Sequence, residues 1–599
     1  MAVATPSVAR SAPRPAQASA QTIPAVFLAQ AKLHDQAPYL HFFRDGAWQV
    51  LSWAETAERA TRVACALIDA GVRPGEHVAL MSPNRPEWIY CDFGIMAAGA
   101  VTVPLYPSLL PKVAGYIAED SKTRFGIASD ATMAAKLAGH ELPKRVFTMD
   151  EDVKRWTETE PAADLRTQVS ERLAAIKPDQ VATVIYTSGT TGEPKGVIFA
   201  HTHFIEAARA GLQMFHIGPE DVLLSYLPYS HVLERVDGIF IETTAGCSFW
   251  LARSLDTIFV EDIHVARPTI MLGVPRVFEK LYESVYDQVR KQPVYRRAIF
   301  RWALGIGVAR LHGNPGPWLS LRVRIAERLV LAPMREKLTG GRLRFFISGG
   351  APLNEKVEEF FWAIGVKILQ GWGLTEATSG VTSNTEEVHR YRSVGIPMPG
   401  TELQIAEDGE ILVKGPGVMI GYKNRPEETD ECIKDGWLQT GDMGFIDQDG
   451  FLTITDRKKD LIKTSGGKYV APLPIEAQLE NDRYIKAAIV VGDNRQYVVG
   501  LIVPDWDALA GDSGFTGAPA TLVDNGAVRA RFQKVVDAVN QNLASFETIK
   551  YFTLLERDFT EANDELTPSL KKKRRIIAQH FQKQIEVMFV AHKKVATHD

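Results

Sequence analysis

Tyr186-Thr187-Ser188-Gly189-Thr190-Thr191-Gly192-Glu193-Pro194-Lys195-Gly196 is the stretch from which the rest of the chain can be read. It follows Val181-Ala182-Thr183-Val184-Ile185, a β-branched apolar run that predicts a buried strand. Glycines at 189, 192 and 196 let backbone N–H groups come close to a ligand. The hydroxyls of Thr187, Ser188, Thr190 and Thr191 add donors, and Lys195 adds a full positive charge. Such a loop suits phosphate oxygens. It is not a Walker loop, because Lys195 is followed by Gly196 rather than Ser or Thr and Gly192 stands too far ahead of it.

Length and composition set the frame. A chain of 599 residues suggests about four domains by length alone. With 45% hydrophobic and 23% charged residues the composition is that of a globular protein, and a net charge of -4 gives no reason to expect nucleic acid as a partner. Cys65, Cys91, Cys247 and Cys432 are scattered, without C-x-x-C spacing, which argues against a disulfide scaffold or a zinc site and fits a reducing compartment. No run is long and apolar enough to span a bilayer. Residues 1–21, rich in Ala, Ser and Pro, read as a disordered tail.

From Thr22 onward helical and strand-like segments alternate, as parallel α/β layers do. Helix periodicity runs from Trp53 to Ala70, and strands are expected at 77–81, 101–105, 125–128, 145–148, 343–347 and 366–369. From Gly400 to Gly450 the texture is β-rich, suggesting a small barrel or sheet subdomain. Between Gln288 and Met334 nine Lys and Arg residues face one acid, Glu327, interleaved with Phe300, Trp302, Trp318 and Leu319. This basic helical segment suits either an anionic membrane surface or a solvated face. Asp456 to Lys468 is a dense polar link and the candidate domain boundary.

Four more stretches suit chemistry only in combination. Gly349-Gly350-Ala351-Pro352 follows a strand. So does Gln370-Gly371-Trp372-Gly373-Leu374-Thr375-Glu376, whose indole suits stacking on a purine and whose carboxylate suits Mg²⁺. Thr440-Gly441-Asp442 offers an acid able to accept from both hydroxyls of a ribose. The link carries Arg457, Lys459, Lys463, Ser465, Gly466 and Gly467.

In this order the motifs resemble those of the AMP-forming acyl-CoA synthetases of the adenylate-forming superfamily, over about residues 25 to 580. Trp372, the run Leu227 to Arg235 and the insertion after Arg276 are most similar to the long-chain fatty-acid branch. The resemblance implies an α/β fold: a large N-terminal lobe (22–457) of layered α/β subdomains plus a small β-barrel, and a smaller mobile α+β lobe (458–599). It implies ATP, Mg²⁺ and CoA as ligands, a fatty acid as substrate, and a cytoplasmic enzyme, peripheral on a membrane if the basic segment binds one. Ser188, Thr190, Thr191 and Lys195 would take the β- and γ-phosphates, and Glu376 would hold Mg²⁺ with Thr375 near the α-phosphate. Trp372 would stack on adenine, Asp442 and Arg457 would hold the ribose, and Lys571 would bridge carboxylate and α-phosphate. Lys459 would be the pivot, His231 a gate, and Lys463 to Gly467 the surface for pantetheine. Leu570 stands where glycine usually precedes the catalytic lysine, and Lys572 and Lys573 follow, leaving the register open. Other family chemistries fit less well: an aryl or medium-chain acid ligase, a ligase loading a carrier protein, a non-catalytic nucleotide sensor, or an amino-acid activator. The last needs a buried acid, and Glu234 beside Arg235 reads as already paired.

Overall fold

The computed structural model describes residues 20–187, 193–313, 316–513, 515–567 and 571–595. The expected tail 1–21, apart from Ala20 and Gln21, and the loop residues Ser188, Gly189, Thr190, Thr191 and Gly192 lie outside the described residues.

Two large sheets form the bulk of the chain before the link. The first runs Gly421–Tyr422, Lys195–Ala200, Val181–Thr187, Val101–Leu105, His77–Met81, Phe125–Ala128, Arg145–Thr148 in spatial order. The last five of these strands are parallel. Lys195–Ala200, which the sequence reading left without an assignment, runs antiparallel to Val181–Thr187 and places Lys195 opposite Thr187. The second sheet has nine strands, with a parallel centre of Pro38–Arg44, Ser248–Leu251, Val222–Ser225, Ile270–Gly273, Phe345–Ser348 and Ile368–Leu374. At its middle Val222–Ser225, Ile270–Gly273 and Phe345–Ser348 are short, apolar and buried on nearly every residue, as parallel strands covered by helices must be. The expected helix from Trp53 is Trp53–Asp69, closed at its start by a Ser52/Glu55 capping box.

The β-rich region after Gly400 is a five-stranded antiparallel sheet, Glu402–Ile405, Glu410–Lys414, Trp437–Ile446 and Ile433–Lys434, with Leu452–Arg457 added on Trp437–Ile446. Of the two forms expected for this region, barrel or sheet, that open, branched path is the sheet. After Arg457 a three-stranded sheet of Ile485–Val491, Val498–Pro504 and Ile549–Leu554 is packed by Pro472–Glu480 and Gly526–Asn540 around its own apolar core.

One buried ion pair corrects the sequence reading. Arg235 does not pair with its neighbour Glu234. Its guanidinium donates to both carboxylate oxygens of Asp92 (2.9 and 2.7 Å) and to Thr183 Oγ1 (2.6 Å), with no exposed surface. Adjacent residues on a helix point about 100° apart, so neighbours in sequence do not face each other.

Candidate active site

The strands Phe345–Ser348 and Ile368–Leu374 deliver their carboxyl ends to one cavity of about 840 Å³. Ligands in open α/β sheets bind beyond such strand ends. Gly349 and Gly350 leave the first strand into the cavity wall, and Gly371, Trp372, Gly373, Leu374 and Thr375 come from the second. His231 and Leu233 enter from the segment after Val222–Ser225. Lys571 lines the same wall, carried there from the far end of the sequence.

The three consecutive lysines at 571–573 differ in their surroundings. Lys572 Nζ donates to Glu480 Oε1 (2.6 Å) and to the carbonyl of Ala488 (2.9 Å), and Lys573 pairs with Asp564. Only Lys571 of the three reaches the cavity. The residue keeps exposed surface, but protein crowds its ammonium: burial first, and then Arg457, pull its pKa below the ordinary lysine range, with Asp442 and Glu376 opposing.

Asp442 and Arg457 are Cα partners across the antiparallel strands Trp437–Ile446 and Leu452–Arg457. Asp442 Oδ1 forms an ion pair with Arg457, 2.9 Å from its Nε, and Oδ2 accepts from the Trp372 indole N–H (2.8 Å). The indole is thus anchored by its edge to the carboxylate expected to read a ribose. Gly441, at φ +71°, makes the turn that aims Asp442 inward, and its N–H donates to Glu410 Oε1 (2.8 Å), which also collects Lys458.

Lys195 pairs with Glu428 and lies 5.0 Å from the centroid of the Tyr422 ring. The Tyr422 hydroxyl in turn donates to Glu376 Oε1 (2.8 Å). Tyr422 and Glu428 were missed from sequence, where a Gly-Tyr pair and an acid-rich helix carry no local signal of a phosphate site. Among the described residues no cluster of three His, Cys, Asp or Glu could hold a metal. A single carboxylate such as Glu376, completed by phosphate oxygens and water, is the arrangement Mg²⁺ favours over an all-protein cage.

His231 Nδ1 accepts from the N–H of Leu233 (3.1 Å), and burial lowers its pKa to about 4, so the ring is neutral at pH 7 with its proton on Nε2. Phe215, Ile217, Ile241, Leu272, Ile347 and Met398 supply an apolar lining. Asp237 and Glu242 share that wall. Burial raises their pKa values to about 7 and about 8, and Asp237 accepts from Ser379 Oγ (2.8 Å).

Some expected contacts lie elsewhere. Gln370 does not face the cavity: its Nε2 donates to Glu358 (2.9 Å) and its Oε1 accepts from the N–H of Leu353 (3.3 Å), tying the Gly349 loop to the sheet. Ala351 and Pro352 are exposed outside the wall. Lys463, Ser465, Gly466 and Gly467 belong to the hairpin Ile462–Lys463/Tyr469–Val470, also outside it. Lys459 is exposed just after Leu452–Arg457.

Lys571, Trp372 and Thr375 line one cavity, with Asp442 bonded to the edge of that tryptophan, and comparison with known proteins gives the family of this arrangement. Residues 27–423 match the AMP-binding enzyme family and 459–593 its C-terminal domain, so the chain belongs to the AMP-binding enzymes. Within them it groups with proteins named as long-chain-fatty-acid–CoA ligases. One from Mycobacterium bovis is 35% identical over 93% of this chain and 95% of its own length. One from Gallus gallus is 30% identical over 91% of this chain and 78% of its own length. Among solved structures, O-succinylbenzoate coenzyme A synthetase from Bacillus subtilis, in complex with ATP and a magnesium ion, has the same fold at a TM-score of 0.68, with 22% identity over 92% of this chain and 98% of that one.

Proposed function

We propose that this protein activates a long-chain fatty acid with ATP, forming acyl-AMP and pyrophosphate, and then transfers the acyl group to CoA, releasing AMP. The observation that carries this reading is the position of Lys571, in the wall that also holds Trp372, Thr375 and Gly349. Support comes from the relatives' names and from the apolar lining.

A fatty carboxylate is already ionised at neutral pH, so the first step needs no general base. What opposes attack on the α-phosphorus is repulsion between two anions, and catalysis consists of in-line positioning and charge neutralisation. Lys571 carries the positive charge that offsets both oxygens. Lys195 exchanges Glu428 for the β- and γ-phosphates, beside Thr187 and the loop that follows. Thr375 orients the α-phosphate, and Glu376 would hold Mg²⁺, which neutralises phosphate charge when bound. Trp372, with Gly349 and Gly350, shelters the adenine, while Asp442 and Arg457 take the ribose hydroxyls. Neutral His231 stands between the acyl and thiol approaches without adding charge to either.

In the second step the CoA thiolate attacks the carbonyl carbon, the C–O bond to phosphate breaks, and AMP leaves with the electron pair. Lys571 now occupies the cavity, so this arrangement belongs to the first step. A swing of residues 458–599 about Lys459 would remove Lys571 and present Lys463, Ser465, Gly466 and Gly467 to pantetheine. The scattered free cysteines fit a cytoplasmic setting. The test is CoA-dependent AMP release across an acyl-chain series. The reading requires a maximum among long chains, and a maximum with benzoate-type acids or with a carrier-protein acceptor would displace it.

A further inference from the structure

Two helices within the basic segment, Val294–His312 and Pro317–Ala326, have a second apolar face that nothing among the described residues covers. Their inner faces are accounted for. Phe300, Ala303, Ile306 and Gly307 are buried, with Gly307 so close to the carbonyl of Ala363 that a Cβ would sit 2.3 Å from it. On the second helix Leu319 and Val323 pack on the same core and Ala326 is buried.

The outer faces repeat the pattern at helical spacing. Tyr295, Ile299 and Trp302 follow one another at four and three residues, and Trp318, Leu321 and Ile325 at three and four, with Leu329 continuing that line. All seven are exposed, Trp318 to 80%, Leu329 to 65% and Tyr295 to 61%. Elsewhere among the described residues large exposed apolar side chains are scattered. Single exposed apolar residues need no explanation, but a contiguous set rimmed by polar groups marks a contact surface.

The charge around this face names the contact. Lys291, Arg301, Arg322, Arg324 and Arg328 make no ion pair among the described residues, and Arg296 donates only to Gln292 Oε1 (3.1 Å). The acid of the segment, Glu327, is engaged by Arg335 (2.5 Å) on the inner side. An apolar stripe with two tryptophans, flanked by uncompensated arginines, fits the interface of an anionic bilayer: rings and branched chains enter the acyl boundary while guanidinium groups remain at the phosphates. Among the described residues no helix is long and apolar enough to cross a membrane, so contact of this kind would be peripheral.

We propose that the outer face of Val294–His312 and Pro317–Ala326 docks on anionic lipid bilayers. It thereby holds the enzyme where a water-insoluble acyl substrate is dissolved. The docking does not depend on which acid is activated, because it is read without acid, ATP or CoA.

The experiment is co-sedimentation of the full chain with vesicles of phosphatidylcholine containing 25% phosphatidylglycerol, beside pure phosphatidylcholine, with thermal melting as a control for folding. The wild type should bind the anionic vesicles at least tenfold more tightly than the neutral ones, and raised salt should weaken that binding. The W318S/L321S/I325S variant and the R322E/R324E/R328E variant should each lose at least tenfold while melting near the wild-type temperature. Doxyl-labelled lipid should quench tryptophan emission in the wild type and less in W318F. Wild type that stays in the supernatant overturns the proposal, as do variants that sediment like wild type. So does a wild-type dimer that the apolar variant dissociates, which would make the face a contact between copies. If a variant melts low, quenching in W318F alone decides.

Discussion

Replacing Lys571 by alanine separates the two half-reactions. An ammonium about 4 Å from a developing phosphate charge, at an effective dielectric near 20, contributes about 4 kcal/mol, or about three decades of rate. Lys571 lies in the cavity wall, and the nearby cation Arg457 is paired with Asp442, so Lys571 is the lysine whose loss this variant reports. Lys571→Ala should therefore slow acid-dependent ATP–pyrophosphate exchange about 10³-fold. Thioester formation from supplied oleoyl-AMP and CoA should stay within a few-fold of wild type, because the proposed swing of residues 458–599 would carry Lys571 away before that step. Lys572→Ala provides the contrast. It removes the ammonium 2.6 Å from Glu480, while the buried Glu476 keeps its pair with Arg574, and should cost about 2 kcal/mol of stability. In the surviving folded protein both half-reactions should remain. The reasoning fails if Lys571→Ala harms the two steps equally, or if Lys572→Ala reproduces the selective loss while folded.

Breaking the Asp92–Arg235 pair by Arg235→Met should cost about 3–5 kcal/mol in urea unfolding, because a buried carboxylate is left alone, and Arg235→Met with Asp92→Leu should recover much of it. Burial raises Glu234 to about 8, so the folded chain keeps a proton that the unfolded chain releases near the ordinary glutamate value. That stability is complete below about pH 4.5 and declines as pH rises to about 8, by up to about 1.4 kcal/mol per pH unit. Glu234→Gln should flatten this slope in denaturation midpoints taken between pH 5.5 and 8.5, and an unchanged slope would contradict it. Glu428→Gln should lower KM for ATP with kcat held, since it removes a competitor for Lys195, whereas Lys195→Met should reduce exchange by about 10²-fold or more.

The fold was legible where local signals agreed. Strands 77–81 and 101–105 combine β-branched residues with turn signals, and the Trp53 helix brings its own capping box. Lys195–Ala200 was not assigned, because it follows a glycine-rich loop whose composition masks the strand. In the site, Asp442, Arg457, Trp372 and Lys571 were chosen from motif order; Trp372 and Lys571 line one cavity, and Asp442 bonds the Trp372 indole and pairs with Arg457 behind that wall. The partners of these residues were not legible. Glu428 finds Lys195, Tyr422 finds Glu376 and Asp92 finds Arg235 only through long-range folding, and no sequence window contains both members. Gln370 was misread for a related reason: a side chain next to a functional turn can serve the turn rather than the ligand.

The most direct test is isotope exchange with purified protein, Mg·ATP, labelled pyrophosphate and oleate, without CoA. Label should appear in ATP only when oleate is present, and the Asp442→Ala and Lys571→Ala proteins should show almost none. Oleate-independent exchange, or none with any fatty acid, would contradict acid activation in this cavity.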